Sequence, residues 1–228
     1  MKILKDIPLR LNIDEAKNTL HWRERAGASI NLPQLIKKAE PLIKPKVIYK
    51  VSYIESKGKD EVVIEGVKFS SKVLRKNLDS VERVFPFIIT IGPDLENYAS
   101  GCNDLLRQYY LEGLADMALG NAALYLERLL KRRFGLTGLS SMSPGSLEDW
   151  PITQQKALFS LLGETEKLAG VKLTEHMLMI PRKSISGIYF PTRVSFLSCQ
   201  LCPRKDCPSR KAGYDRNLRK KYRLDKEP

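Results

Sequence analysis

Three cysteines fall within nine residues of one another, Cys199, Cys202 and Cys207, while the fourth cysteine of the chain, Cys102, stands alone. Thiolates at this spacing can be wrapped around one centre by a short loop, which is the chemistry of a zinc site or an iron–sulfur cluster. Pro203 and Pro208 stiffen the turn, and Arg204, Lys205, Arg210 and Lys211 favour a negatively charged centre. A complete tetrahedral set needs a fourth ligand. Cys102 supplies it only if its segment folds against the tail; otherwise water, a partner or a substrate takes the place. Three reduced thiols without metal are the plainer alternative.

A second group is built for binding rather than bond making. Ser143-Pro144-Gly145-Ser146 combines a residue of fixed φ with one that tolerates positive φ, so its backbone can curl tightly around a small ligand at low ordering cost. As an isolated tripeptide it is far more often an ordinary connection between helices. His21 and His176 each stand alone and read as structural histidines, and Tyr189 reads as a half-buried strand aromatic.

The elements that must position these groups are legible in outline. Asn12 and Asp14 suit the start of a helix, and Pro33 opens another that Lys44-Pro45 ends. Residues 46–55, 61–69 and 84–91 read as strands, with Gly58 or Gly66 marking bends and the last stopped by Gly92-Pro93. Residues 103–134 carry the strongest helical period, with Leu106, Tyr110, Leu114, Met117, Leu124 and Leu129 as the apolar stripe, Lys131-Arg132-Arg133 at its negative end and Gly135 as its cap. Gly113 and Gly120 on this helix point to close packing. A loop over 135–150 joins it to a shorter helix over 151–162, and strand-like runs follow at 173–180 and 187–197. Helices and strands without regular alternation predict an α+β fold with a twisted, largely antiparallel sheet and long helices. The expected organisation is an α+β domain over 1–197 and a cysteine-bearing basic tail over 198–228.

In order along the chain, Leu20-His21-Trp22, Thr90-Ile91-Gly92, Ser143-Pro144-Gly145, Asp149-Trp150, Gln155-Lys156-Ala157-Leu158-Phe159, Leu173-Thr174-Glu175 and Pro181-Arg182-Lys183-Ser184-Ile185-Ser186-Gly187-Ile188-Tyr189-Phe190 form a conjunction hard to obtain by chance. Together they resemble the activation (reactivation) domain of cobalamin-dependent methionine synthase, as a stand-alone member, over most of residues 10–197. The resemblance implies that the Pro-Gly loop grips S-adenosylmethionine, and that Ser143, Pro144, Gly145 and Tyr189 line the concave face presented to a corrinoid. It also exposes three departures. The family's carboxylate-binding arginine corresponds to Ser141, its aromatic contact to Ser146, and its ammonium-binding aspartate to His21. An imidazole cannot replace an anionic partner of an ammonium, so affinity for S-adenosylmethionine is expected to be reduced. Arg182 and Lys183 are the candidate replacement cations.

The 43% hydrophobic content of 228 residues is enough to bury a core without staples, and no apolar run reaches bilayer length. The opening residues lack a secretory signal pattern, which predicts a cytoplasmic protein. Of the net charge of +13, much lies in residues 203–228, where ten Lys and Arg face four Asp and Glu. The first functional expectation is an activation or reactivation accessory that caps the corrinoid of a separate cobalamin-dependent methyltransferase, with S-adenosylmethionine as a candidate ligand and no covalent nucleophile. The alternatives are an iron–sulfur reductive activator without S-adenosylmethionine, and a zinc-containing nucleic-acid-binding protein built on the basic tail with Tyr214 and Tyr222.

Overall fold

Polar caps set the first helices in the computed structural model, which describes residues 1–5, 7–22, 30–207 and 210–224. After β1 (Lys2–Leu4), Asn12 accepts hydrogen bonds from the amides of Asp14 and Glu15 and starts α1 (Ile13–Thr19). Asn31 does the same for Gln34 at the head of α2 (Leu32–Ala39), where Pro33 sits in the first turn. The run over 46–55 divides into β2 (Lys46–Tyr49) and β3 (Ser52–Lys57). The run over 61–69 is not one strand. Glu65 and Gly66 both adopt positive φ, so it folds into a hairpin of β4 (Glu61–Ile64) and β5 (Val67–Ser70).

Ser71 caps α3 (Lys72–Asn77), which leads to β6 (Arg83–Thr90). Then come α4 (Asp94–Ser100) and α5 (Leu105–Phe134), the latter capped by Asp104 and closed by Gly135 at φ 62°. The connection expected over 135–150 contains an edge strand, β7 (Leu139–Met142). A 3-10 turn at Ile152–Gln154 enters α6 (Gln155–Leu162), and α7 (Thr165–Ala169) follows. The run over 173–180 is a small hairpin, β8 (Lys172–Leu173) with β9 (Met179–Ile180), rather than a strand. The last strand, β10 (Ser184–Pro191), starts earlier and ends earlier than the expected 187–197, and the tail carries α8 (Arg216–Lys221).

β6 is the spine of the main sheet. β2 and β3 pair antiparallel along successive halves of one side of it, and β10 pairs antiparallel along the other, Ser184 opposite Thr90 through Tyr189 opposite Phe85. β7 then closes the edge beyond β10. Alternation along β6 divides the core in two: Phe85, Phe87 and Ile89 face α5, while Val84 and Ile88 face α3 and α6. The buried face of α5 includes Leu111, Leu114, Met117, Ala118, Ala122, Leu126 and Leu130, so Leu114 and Met117 of the expected stripe lie in the core and Tyr110 and Leu129 pack partly buried against it. Leu106 and Leu124 are about half exposed. Gly113 packs as expected, since a Cβ there would meet Leu20 Cδ2 at 2.2 Å, but Gly120 faces open space.

The tail packs into the same body. Leu201 is fully buried and Tyr222 nearly so in the core on the α3 side, where the Tyr222 hydroxyl donates to Asn77 Oδ1 at 3.0 Å. The expected division at 197/198 therefore leaves two core side chains on the tail side.

Candidate functional site

The Pro-Gly loop is a turn held from behind. The Ser146 amide donates to the Ser143 carbonyl at 3.1 Å with Gly145 at φ 83°, a type II pattern with proline and glycine where that turn wants them. The Gly145 amide then donates to the Trp150 carbonyl at 2.7 Å, which closes residues 145–150 into a second, nested loop. Trp150 is wholly buried, edge-on to Phe69, and its Nε1 donates to Gln154. Asp149 accepts from the Ser71 hydroxyl and from the amides of Lys72 and Val73, so the loop doubles as a cap of α3.

Gly187 explains why the loop can cross β10 so closely. A Cβ on it would lie 2.5 Å from the Met142 carbonyl oxygen and 2.7 Å from Ser143 Oγ. The Ser-Gly turn of the sequence is thus a stretch of strand whose glycine admits the neighbouring backbone. The loop and this stretch do lie side by side, as the sequence motifs require.

The loop wraps around the sheet edge, and this divides the expected site. Ser141 stands opposite Tyr189 in the β7–β10 register, on the α5 face with Ser143 Oγ. Tyr189 is almost fully buried there, stacked on Phe87 at 4.5 Å, its hydroxyl 3.4 Å from the Ala123 carbonyl. Burial, assisted by the Glu127 charge, pushes its phenol well above the ordinary range, so it is a packing group and not an acid. Pro144 is buried. Gly145 and Ser146 are exposed on the other side, where residues 145–149 and the tail residues Leu201, Cys202, Pro203, Arg219, Arg223 and Leu224 enclose a cleft of about 600 Å³. Ser146 Oγ also reaches Ser198 Oγ at 3.4 Å. Tyr189 does not line that cleft with Gly145 and Ser146.

His21 follows α1 at φ 50°, exposed, between Leu20 against Gly113 and Trp22 edge-on to Tyr110. Its place is therefore over the early turns of α5. The expected replacement cations are already engaged. Arg182 pairs with Glu96 at 2.7 Å and Glu112 at 2.9 Å, and Lys183 with Asp116 at 2.7 Å and Glu112 at 2.8 Å. Burial works against the Lys183 ammonium, but the two carboxylates outweigh it and raise its pKa. Glu112 is held below the ordinary range by the same pair of cations against its own burial. His176 is exposed on the β8–β9 turn beside Glu175.

The cysteines are free and partly buried. Among the described residues no three His, Cys, Asp or Glu side chains come together to hold a metal ion. Pro208 lies outside the described residues. Cys102 cannot complete a set, because it packs against the α5-side core with its thiol on the Tyr98 carbonyl, whereas Cys202 packs on the α3 side. What organises the cysteine loop is a cation that sequence reading assigned to charge tuning. Arg210 donates to the carbonyls of Cys199, Cys202, Arg204 and Ala212. An arginine within a short Cys- and Pro-rich loop was the only available signal for this role.

Three comparisons bear on the family. Residues 143–200 match the model of the vitamin B12 dependent methionine synthase, activation domain. No curated protein matches the chain. Among solved structures, a crystal structure of the MetH reactivation domain bound to AdoHcy is 18% identical with a TM-score of 0.56, covering 87% of this chain and 81% of that one. The matched segment runs from the Pro-Gly loop through β10 to the first tail cysteine. In sequence over residues 143–200, and in fold over most of its length, the chain resembles the activation domain of vitamin B12-dependent methionine synthase.

Proposed function

We propose that this protein is an activation-domain-like accessory of a cobalamin-dependent methyltransferase, acting by covering the corrinoid carried on that partner. The observation that carries this reading is the match of residues 143–200, which falls on the loop that Asp149 ties to α3 and on the strand whose Gly187 admits that loop. The protein's contribution is position. The corrinoid supplies the redox and methyl chemistry on the partner, and a rigid loop with an exposed glycine offers a surface of fixed shape.

S-adenosylmethionine has a weaker claim on this chain than the family likeness suggests. Ser141 and Ser146 replace the arginine and the aromatic contact, His21 replaces the aspartate, and Arg182 and Lys183 are taken by Glu96, Glu112 and Asp116. These residues do not fit its carboxylate and ammonium, so no step is derived through it. The cysteines likewise enter no step.

An accessory of this kind must prefer the inactive form it rescues, because only differential affinity shifts a population. The test is titration of the full-length protein into a corrinoid protein with cobalt as Co(II), followed by visible absorbance and electron spin resonance. A perturbed Co(II) spectrum and salt-sensitive association are expected. Unchanged spectra and no association with corrinoid proteins in either cobalt state would overturn the reading.

A further inference from the structure

A second cleft, of about 420 Å³, opens between α3 and the tail and adjoins the one beside the Pro-Gly loop, the two sharing Lys72 and Arg223. Six cations line it, Lys59, Lys72, Arg75, Lys76, Lys221 and Arg223, against two carboxylates, Asp60 and Asp79. Asp79 is consumed by Arg75 at 2.6 Å, and that guanidinium also donates to the Gly58 carbonyl at 2.7 Å. Lys76 donates to the Lys221 carbonyl and lies over the Tyr222 ring. Among the described residues the side chains of Lys59, Lys72, Lys221 and Arg223 have no hydrogen-bond or ion-pair partner.

The backbone that carries Lys221 and Arg223 is held in place, while the four unpartnered side chains are exposed. Tyr222 is buried beside Phe196 and bonded to Asn77, which pins the end of α8 against α3. Bringing several unpaired cations into one concavity raises their mutual repulsion and focuses a positive potential into the cleft. An anion of several charges relieves that repulsion, and an arginine among lysines suits the geometry of phosphate oxygens.

We propose that this cleft is a binding site for a small phosphate-bearing molecule, its phosphates held by Lys72, Arg223 and their neighbours and its organic part directed toward Gly145–Leu147. The volume is that of a small-molecule site, and Tyr222 forms part of its wall, so a compact ligand fits better than a long polymer track. The adjoining cleft supplies room and mixed polar and apolar walls, including Ser146, Leu201 and Leu224, for the uncharged remainder. The phosphate end of this site does not depend on the corrinoid reading, whereas its other end shares Gly145 and Ser146 with the loop on which that reading rests.

The experiment is calorimetry and thermal unfolding of the full chain with inorganic tripolyphosphate at low and moderate salt. Binding that raises the unfolding temperature and weakens with salt is expected. Lys72→Gln and Arg223→Gln should each weaken it about tenfold, the loss of one charge-assisted contact. Lys156→Gln, at an exposed position on α6 outside the cleft, should leave it unchanged. The unliganded unfolding temperature of each variant reports whether it has folded, and Lys59→Gln and Lys221→Gln provide independent substitutions. Absence of binding overturns the proposal, as does equal weakening by Lys156→Gln. Tighter, steeply salt-dependent binding of a single-stranded oligonucleotide that tripolyphosphate does not displace also overturns it, in favour of a polymer surface.

Discussion

Replacing Gly187 by alanine tests the geometry that joins the two sequence motifs. The added Cβ would sit 2.5 Å from the Met142 carbonyl oxygen, 2.7 Å from Ser143 Oγ and 3.2 Å from Phe87 Cε1. A serine hydroxyl can rotate away, but the carbonyl belongs to β7 and moves only with its strand. Phe87 is held by its stack on Tyr189 and has no easy retreat. Such overpacking costs about 1–3 kcal/mol, and a chain of this size loses about 2–4 °C of unfolding temperature per kcal/mol. The expected drop is therefore about 2–12 °C, with faster amide exchange at Leu139–Met142, where β7 must part from β10. Ser143→Ala in the same background should not restore stability, because the carbonyl contact remains.

Gly120→Ala is the matched control. Nothing lies within 4 Å of a Cβ at that position in α5, so a glycine within a helix is exchanged for alanine in open space. It should stabilise the protein by about 0.5–1 kcal/mol. A Gly187→Ala protein that melts within about 1 °C of the parent, below the smallest drop that overpacking predicts, with unchanged exchange in β7, would refute the claimed close approach.

Arg210→Met removes the donor to four carbonyls of the cysteine loop and should cost about 1–3 kcal/mol; thiol labelling of Cys199 and Cys202 should accelerate, and unaltered labelling would show that the loop is held otherwise. Glu112, whose pKa lies below 4.5 in the fold, contributes stability fully present above that value and lost as pH falls through the lowered one, while the Lys183 contribution is present below 10.5 and lost as pH rises through its raised value. In Lys183→Met, urea midpoints measured against pH should lose part of the acid fall and the alkaline limb; an unchanged profile would deny the network this role. Ser141→Arg and Ser146→Tyr each restore one side chain of the family pattern on their own side of the loop, and together should tighten S-adenosylmethionine binding by no more than the better of the two alone, about tenfold in calorimetry. No gain would mean that the family's contacts do not transfer to these positions.

Elements with local punctuation were legible in the sequence. Asn12, Pro33 and Gly135 mark the ends of α1, α2 and α5 by side-chain or backbone chemistry that needs no tertiary partner. The errors lie where neighbours decide. The β4–β5 turn falls at Gly66, where the sequence does mark a bend, but it also uses Glu65 at positive φ, a conformation its residue type does not advertise. The stripe on α5 was legible only in part, with Leu106 and Leu124 wrongly included, because alanines at 115, 118 and 122 line its buried face and carry little hydrophobic signal. β7, reading Leu-Ser-Ser-Met, is a strand only because β10 offers it a ladder. At the site, the type II turn followed from proline and glycine, and the nearness of the two motifs from their order. The inward turn of Tyr189, the engagement of Arg182 and Lys183 by α4 and α5, and the tail's share of the cleft depend on contacts far apart in sequence.

Those distant contacts tie the Pro-Gly loop to the basic cleft. Asp149 belongs to the loop, yet two of its acceptor bonds go to the amides of Lys72 and Val73, and a third to the Ser71 hydroxyl. Lys72 in turn lines both clefts, with Arg223 opposite it on the tail. The backbone of one residue therefore fixes the loop while its side chain meets whatever anion enters. A ligand that draws the Lys72 side chain and Arg223 together bears on the α3 start through a cap whose carboxylate cannot move without Gly145–Trp150 moving too, since Trp150 is buried and its carbonyl holds the Gly145 amide. The tail that sequence reading set apart as a charged appendage is thus placed to influence the one loop on which the family likeness rests.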